Sequence, residues 1–267
     1  MAAEVSAELN INNKYQLSVK ERIILSMMKI CLNLTFSSLS VFLGCTVKIA
    51  SNIFATIVPI LASIFGTFIQ WPVKEEVVAN CSKNFRTFQN VRVVLDCTEI
   101  LVQKSKCLSE CIALYSHYYK DLTIKYLIAA TPAGLITFFS KGYGGKASDK
   151  FIFLQNNIIE MLEPHIDAVM TDKGFLINEI CDKSFIKLIR PPFLRSKKQF
   201  SQEEAISSQK TARVRVQIER TIQRIKIFGI LKSRIPYHLL NLIDHIIIIA
   251  AGITNLSIPI LSDDKFA

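Results

Sequence analysis

The chain is 267 residues long, half hydrophobic and a fifth charged, with a formal net charge of +10. That length buries one large domain, or a medium domain beside a small one, without disulfide staples. Its seven cysteines form no C-x-x-C pair and sit near no histidine at zinc-ligand spacing, which excludes a disulfide scaffold and a structural zinc module. They read as small core residues of a protein in a reducing compartment.

Residues 1–16 are polar and unpatterned, so a loose tail is expected there, and no apolar h-region signals secretion. From Leu17, the apolar residues Ile23, Ile24, Met27, Met28, Cys31 and Leu32 recur at helical spacing. A short helix over Thr35–Leu43 stops at Gly44, and a third helix starts around Thr46. Helix, short helix, glycine turn, helix is a helix-turn-helix arrangement, and residues 17–70 are expected to form a small all-α domain of that kind. Its third helix offers Lys48, Ser51 and Asn52 to a DNA groove.

Residues 49–73 carry no charge and are long enough to cross a bilayer. Pro59, Gly66 and scattered Ser, Thr, Asn and Gln favour a globular helix instead, so no membrane association is expected. Residues 71–90, with Trp71-Pro72 and mixed charge, read as a linker to a second domain over residues 91–267.

From Val91 the pattern changes to short β-branched runs between turns. Strands are expected at Val91–Leu95, Leu122–Ala130 and Leu135–Phe139, the last two joined by the turn Thr131-Pro132-Ala133-Gly134. A helix over Phe151–Leu162 follows, then short strands at Asp167–Met170 and Phe185–Ile189, the latter stopped by Pro191-Pro192. Ser201 and Glu204 match a capping box opening a long helix towards Phe228, and residues 239–257 read as an apolar helix covering the sheet. The expected architecture is α/β, a mixed five-stranded sheet with helices in ribonuclease-H-like order.

The charge is not spread evenly. Residues 187–234 hold 13 Lys and Arg against 3 Glu, and the rest of the chain balances to zero. A basic excess confined to one stretch is a docking face for a polyanion, most simply nucleic acid. Lys197, Lys198, Arg213, Arg215, Arg220 and Arg224 are the candidate phosphate contacts, although Arg215, one turn before Glu219, equally suits an ion pair on the helix surface.

Three acids stand out by position. Asp96 follows the first strand, Asp172 follows the fourth, and Glu219 lies in the basic helix. Carboxylates brought together in this way repel one another and take up protons unless cations are bound. Mg²⁺ or Mn²⁺ suits such oxygen ligands and phosphodiester chemistry, with two ions activating the attacking oxygen and stabilising the leaving one. On that reading Asp96 bridges both ions, and Asp172 and Glu219 hold one each.

The blocks DCTE, YSHYYKDLTIK, ATPAGLITFFSKGYGGKASDK, TDKGF, IRPPF, RVQIERTIQRIKIF and AAGITNLSIPI, in this order from Val91 to Ile260, resemble the DDE-superfamily endonuclease domain of Harbinger-type and THAP-associated transposases. Residues 17–70 are similar to the helix-turn-helix segment that precedes that nuclease. The resemblance implies a ribonuclease-H-like fold, metal-dependent DNA cleavage with possible strand transfer, a nuclear site of action and scope for homo-oligomers. It maps the acidic triad onto Asp96, Asp172 and Glu219, and adds Asp149 of the S-D block as a fourth ligand candidate, with helix capping as its alternative role. No THAP zinc module precedes the helices, which points to a separate DNA-binding partner protein. A descendant that binds DNA or a partner without cutting is the alternative function.

Overall fold

The computed structural model describes residues 17–81, 85, 88, 90–191 and 202–257; in the helix beginning at Gln202 it describes side chains only at 209, 211, 212 and from 215 onward. The expected tail at 1–16, the capping box of Ser201 and Glu204, the cations Lys197 and Lys198, and the Arg213 side chain lie outside the described residues.

Ser18 opens helix α1 (Val19–Leu32) with a reciprocal cap. Its hydroxyl accepts from the Glu21 amide at 3.3 Å, and its own amide donates to the Glu21 carboxylate at 2.7 Å. Asn33, in the left-handed region, ends the helix. Thr35 caps α2 (Phe36–Phe42) and Thr46 caps α3 (Val47–Gly66), with Gly44 at φ 61 turning the chain between them. These three helices fall where their apolar spacing and turn residues put them. A short α4 (Lys74–Ala79) lies within the stretch read as linker.

The sheet contains β1 (Val91–Leu101), β2 (Tyr115–Ser116), β3 (Asp121–Ala130), β4 (Ile136–Phe139), β5 (Tyr143–Gly144), β6 (Ala168–Met170) and β7 (Lys187–Ile189). The order is β2-β3-β1-β6-β7, with β4 and β5 also paired to β3. β3 runs antiparallel to β1, whereas β6 and β7 run parallel to it and to each other. All five expected strands are present. The two-residue strands β2 and β5 are additions too short to leave a periodic signal.

β1 continues to Leu101 instead of stopping at Leu95. Polar residues within Asp96–Glu99 mimic a strand end, yet this segment stays paired with β3 from Val94 to Leu101. The remaining helices are α5 (Leu108–Leu114), α6 (Asp149–Gln155), α7 (Asn178–Lys183), α8 (Gln202–Ile225), α9 (Gly229–Lys232) and α10 (Ile243–Leu256). The helix expected over Phe151–Leu162 is split, because Asn157 adopts a left-handed conformation (φ 49) between α6 and a 3-10 turn at Ile158–Met161.

Both faces of β1 are buried. Val93, Leu95, Leu127 and Ala129 pack on one side with Ile152, Phe153 and Cys181 of α6 and α7. Val94, Ile100, Tyr126 and Ile128 pack on the other with α8 and α10, and that cluster continues without a break through α3 into α1 and α2. The inner face of α3, the helix read as the DNA reader, is therefore occupied by α10. Among the described residues two stretches are long and apolar enough to cross a bilayer, Val47–Gly66 and Tyr237–Leu256, and they lie against each other here.

Polar anchors fix the position of α10. The buried Tyr126 hydroxyl donates to Asp244 at 2.7 Å. Asn255 closes a two-way bond with the backbone of Ile136 on β4 (2.9 and 2.8 Å) and donates to Phe68 O beyond α3 at 2.9 Å. At the crossing of α3 and α10, a Cβ on Gly252 would lie 2.4 Å from Phe65 O, so only glycine permits this approach.

Gly252→Ala is expected to lower the unfolding free energy by about 1–3 kcal/mol, as overpacking against a rigid backbone does. Gly66→Ala, whose added Cβ would meet Ile248 at an ordinary 3.5 Å, is expected to be neutral or mildly stabilising. Urea titrations of the two variants beside the parent protein check both signs.

Candidate active site

Alternation along β1 puts Asp96 on the face of Val94 and Ile100, and Cys97 and Glu99 on the face of Val93 and Leu95. Asp172 stands two residues beyond the end of β6, the parallel neighbour of β1. Helix α8 lies across the Asp96 face and buries Ile218, Ile222 and Ile225. That stripe brings Arg215 and Glu219, one turn apart on α8, towards the same region.

Arg215 joins the three acids. One terminal nitrogen of its guanidinium lies 3.0 Å from Asp172 Oδ1 and the other 3.6 Å from Glu219 Oε1. Burial pushes the Asp96 carboxyl up to about 6, and the nearby Asp172 and Glu219 add to the rise; Arg215 and the Cys97 amide, 2.8 Å from Oδ1, pull the other way. Asp96, Asp172 and Glu219, contributed by a strand, a loop and a helix, thus share one electrostatic site.

Asp149 belongs to a second cluster on the opposite face. As the first residue of α6 after the Ser148 cap, it lies 3.4 Å from Lys125 Nζ. Lys125 also pairs with Glu99 at 3.3 Å and donates to Ala147 O, while Glu99 accepts from Thr123 at 2.6 Å. Register explains this arrangement, since Glu99 and Lys125 are direct cross-strand partners. A Cβ on Gly174 would meet the Asp149 carboxylate at 3.3 Å, so Asp149 borders the loop that carries Asp172 while remaining salt-bridged to Lys125.

The candidate phosphate contacts divide. Lys48 is exposed in the first turn of α3, Arg220 is exposed on α8, and Arg224 is half-buried near its end. Arg215 is held among the acids. Sequence reasoning missed Lys125, whose isolation in an apolar strand was the available signal, and Lys226, which does not stand out beside Arg224 in the basic stretch. Burial holds the Lys226 amine below its ordinary range, with Glu99 and Asp96 acting in the opposite direction. Tyr119 was also missed: burial raises its hydroxyl, and Glu99, Tyr118 and Asp96 add to the effect.

A mixed sheet with one acid inside β1, a second just past its parallel neighbour β6 and a third on the helix that crosses it is consistent with a DDE nuclease fold. Residues 95–255 match the family of DDE superfamily endonucleases, and the chain belongs to that family. The family supports a transposase-like nuclease in general type and implies a DNA substrate. Among curated proteins none matches the chain.

The family typically uses divalent metal ions. The donor set here fits such ions in type, because all three donors are carboxylates and one guanidinium, that of Arg215, does not offset their summed charge. With the side chains as they lie, no group of three His, Cys, Asp or Glu among the described residues stands at ligand spacing.

The state of Asp96 has a consequence for stability. The folded carboxyl keeps its proton up to about pH 6, whereas the unfolded one loses it near 3.8, so stability falls as pH rises between these values. Asp96→Asn is expected to stabilise the chelator-treated protein at pH 7 by up to about 3 kcal/mol. The gain should vanish below about pH 4, where both states carry the proton. Denaturant melts at pH 4 and pH 7 in EDTA check this.

Proposed function

We propose that the protein is a Harbinger-type, transposase-derived nuclease that cleaves DNA strands, and can transfer them, with Mg²⁺ or Mn²⁺ at an Asp96-Asp172-Glu219 centre, acting in the nucleus. The single observation that supports this reading is Arg215 of α8 bridging Asp172 and Glu219, two acids whose charges, with that of Arg215, act on the buried Asp96. The strand path β4-β3-β1-β6-β7, with β3 antiparallel to β1 and β6 and β7 parallel to it, supports the ribonuclease-H-like form of the fold.

In this reading Asp96 is the central ligand, rooted in the strand least able to move, and Asp172 and Glu219 approach from the more exposed side. Two bound divalent ions supply Lewis acidity and an activated oxygen nucleophile for phosphodiester displacement. Asp149 is the fourth candidate; it would have to exchange its Lys125 contact to act as a ligand, and otherwise it stabilises the start of α6. The exposed Arg220 and half-buried Arg224 lie one and five residues beyond Glu219, where they can neutralise backbone phosphates.

In this reading the helices α1, α2 and α3 form the helix-turn-helix unit. The burial of α3 against α10 leaves its outer face, with Lys48 and Asn52, as the part able to meet DNA. A small DNA-reading surface of this kind favours a separate DNA-binding partner or a second copy of the chain for target choice.

Purified protein is expected to cut DNA only with Mg²⁺ or Mn²⁺, and Asp96→Asn, Asp172→Asn and Glu219→Gln are each expected to lower the cutting rate by roughly a hundredfold or more while the circular dichroism is retained. Cutting that survives all three substitutions would refute the assignment. DNA binding that is salt-sensitive but yields no metal-dependent product would instead identify a non-catalytic descendant. Arg220→Gln and Arg224→Gln are expected to weaken DNA binding without sequence preference, each reducing the slope of log K against log salt by about one. Fluorescence anisotropy at a series of salt concentrations provides that measurement.

A further inference from the structure

We propose that Arg215 is a built-in competitor of the divalent cation, a guanidinium that holds Asp172 and Glu219 and must leave them before both can act as ligands. The inference rests on the reading of these acids as the metal centre. It concerns how that centre is loaded rather than whether it exists.

Depth is the first argument. The Arg215 side chain is 17% exposed, whereas those of Asp172 and Glu219 are 45% and 50% exposed. The guanidinium thus lies deeper than the two carboxylates it contacts, on the side of Asp96, whose carboxyl it pulls down. An arginine serving only as a surface partner for Glu219 would satisfy the one-turn spacing on α8 and need not reach the loop after β6. Arg215 contacts both, so it ties the helix to the sheet at the point where the acids meet.

Chemistry is the second argument. A guanidinium stays protonated at every working pH and offers a planar fork that suits carboxylates. It delivers one positive charge to Asp172 and Glu219 and acts on Asp96, so it relieves the repulsion of the three acids without cancelling it. A dication offers twice that charge and binds the same oxygens, but on entry it must displace these charge-assisted contacts. Apparent metal affinity is lowered by whatever those contacts are worth. Once displaced, the fork stays beside the site with donors free for a phosphate oxygen.

The test uses metal alone, without DNA. Free Mn²⁺ is followed by electron paramagnetic resonance during titration of the parent protein, Arg215→Gln and Arg215→Lys, each with and without Asp96→Asn, after circular dichroism confirms folding. Arg215→Gln is expected to bind Mn²⁺ roughly tenfold more tightly than the parent, the equivalent of one charge-assisted contact. Arg215→Lys, which keeps the charge but lacks the fork, should fall between them, and it decides the matter alone if the glutamine variant does not fold. Asp96→Asn should weaken binding in every background.

Equal or weaker Mn²⁺ binding by the folded Arg215 variants, with binding still dependent on Asp96, would overturn the competitor role and leave the metal centre standing. An absence of Mn²⁺ binding in all of the proteins would overturn both.

Discussion

A carboxylate in a strand covered on both faces is the constraint around which this molecule is arranged. β1 pairs with β3 on one side and β6 on the other, and its apolar residues feed hydrophobic clusters above and below the sheet. Asp96 interrupts one of those faces, and burial opposes its charge. The position calls for a proton or a nearby cation, and the fold supplies a guanidinium from α8. Local instability at this strand is what a metal-binding carboxylate centre requires, since a site already neutralised within the protein would have little affinity left for a dication.

The same strand separates two charged clusters that are close in sequence and distinct in space. Asp96 faces α8, where Arg215, Asp172 and Glu219 meet. Glu99 faces α6, where Lys125 links it to Asp149. Strand alternation alone accounts for this division, and it gives the two clusters different characters. Glu99 and Asp149 share one lysine, which is in register with Glu99, two acids to one cation. On the Asp96 face the acids outnumber the guanidinium. The helices of residues 17–70 support the arrangement from behind, because α3 holds α10 in place, and α10 in turn fixes β3 and β4 through Tyr126 and Asn255.

Much of this was legible in the residues. The β-branched runs and turn residues located the five principal strands, and the apolar spacing from Leu17, with Thr35 and Thr46, marked the helix starts, because these signals are local. Asp172 past a strand and Glu219 in a helix were legible, whereas Asp96, read as following the first strand, lies inside it; the resemblance of the ordered blocks to DDE nucleases linked the three. The extent of β1 was not legible: Asp96, Thr98 and Glu99 lower the local hydropathy, and only pairing with β3 keeps them in the sheet. Nor was the packing of α3 on α10, which depends on Gly252, a residue whose purpose appears only when the Phe65 carbonyl lies against it. The role of Arg215 was half legible, since spacing revealed its neighbour Glu219 but could not reveal Asp172.

The central claim is that Asp96, Asp172 and Glu219 form a divalent-metal centre. Its most direct measurement is anomalous diffraction from crystals of the protein grown or soaked with Mn²⁺. The account predicts Mn²⁺ anomalous density bounded by the carboxylates of Asp96, Asp172 and Glu219, with the Arg215 guanidinium drawn away from Asp172. Well-diffracting crystals in which Mn²⁺ binds elsewhere, or in which Arg215 keeps both carboxylates at saturating metal, would contradict it.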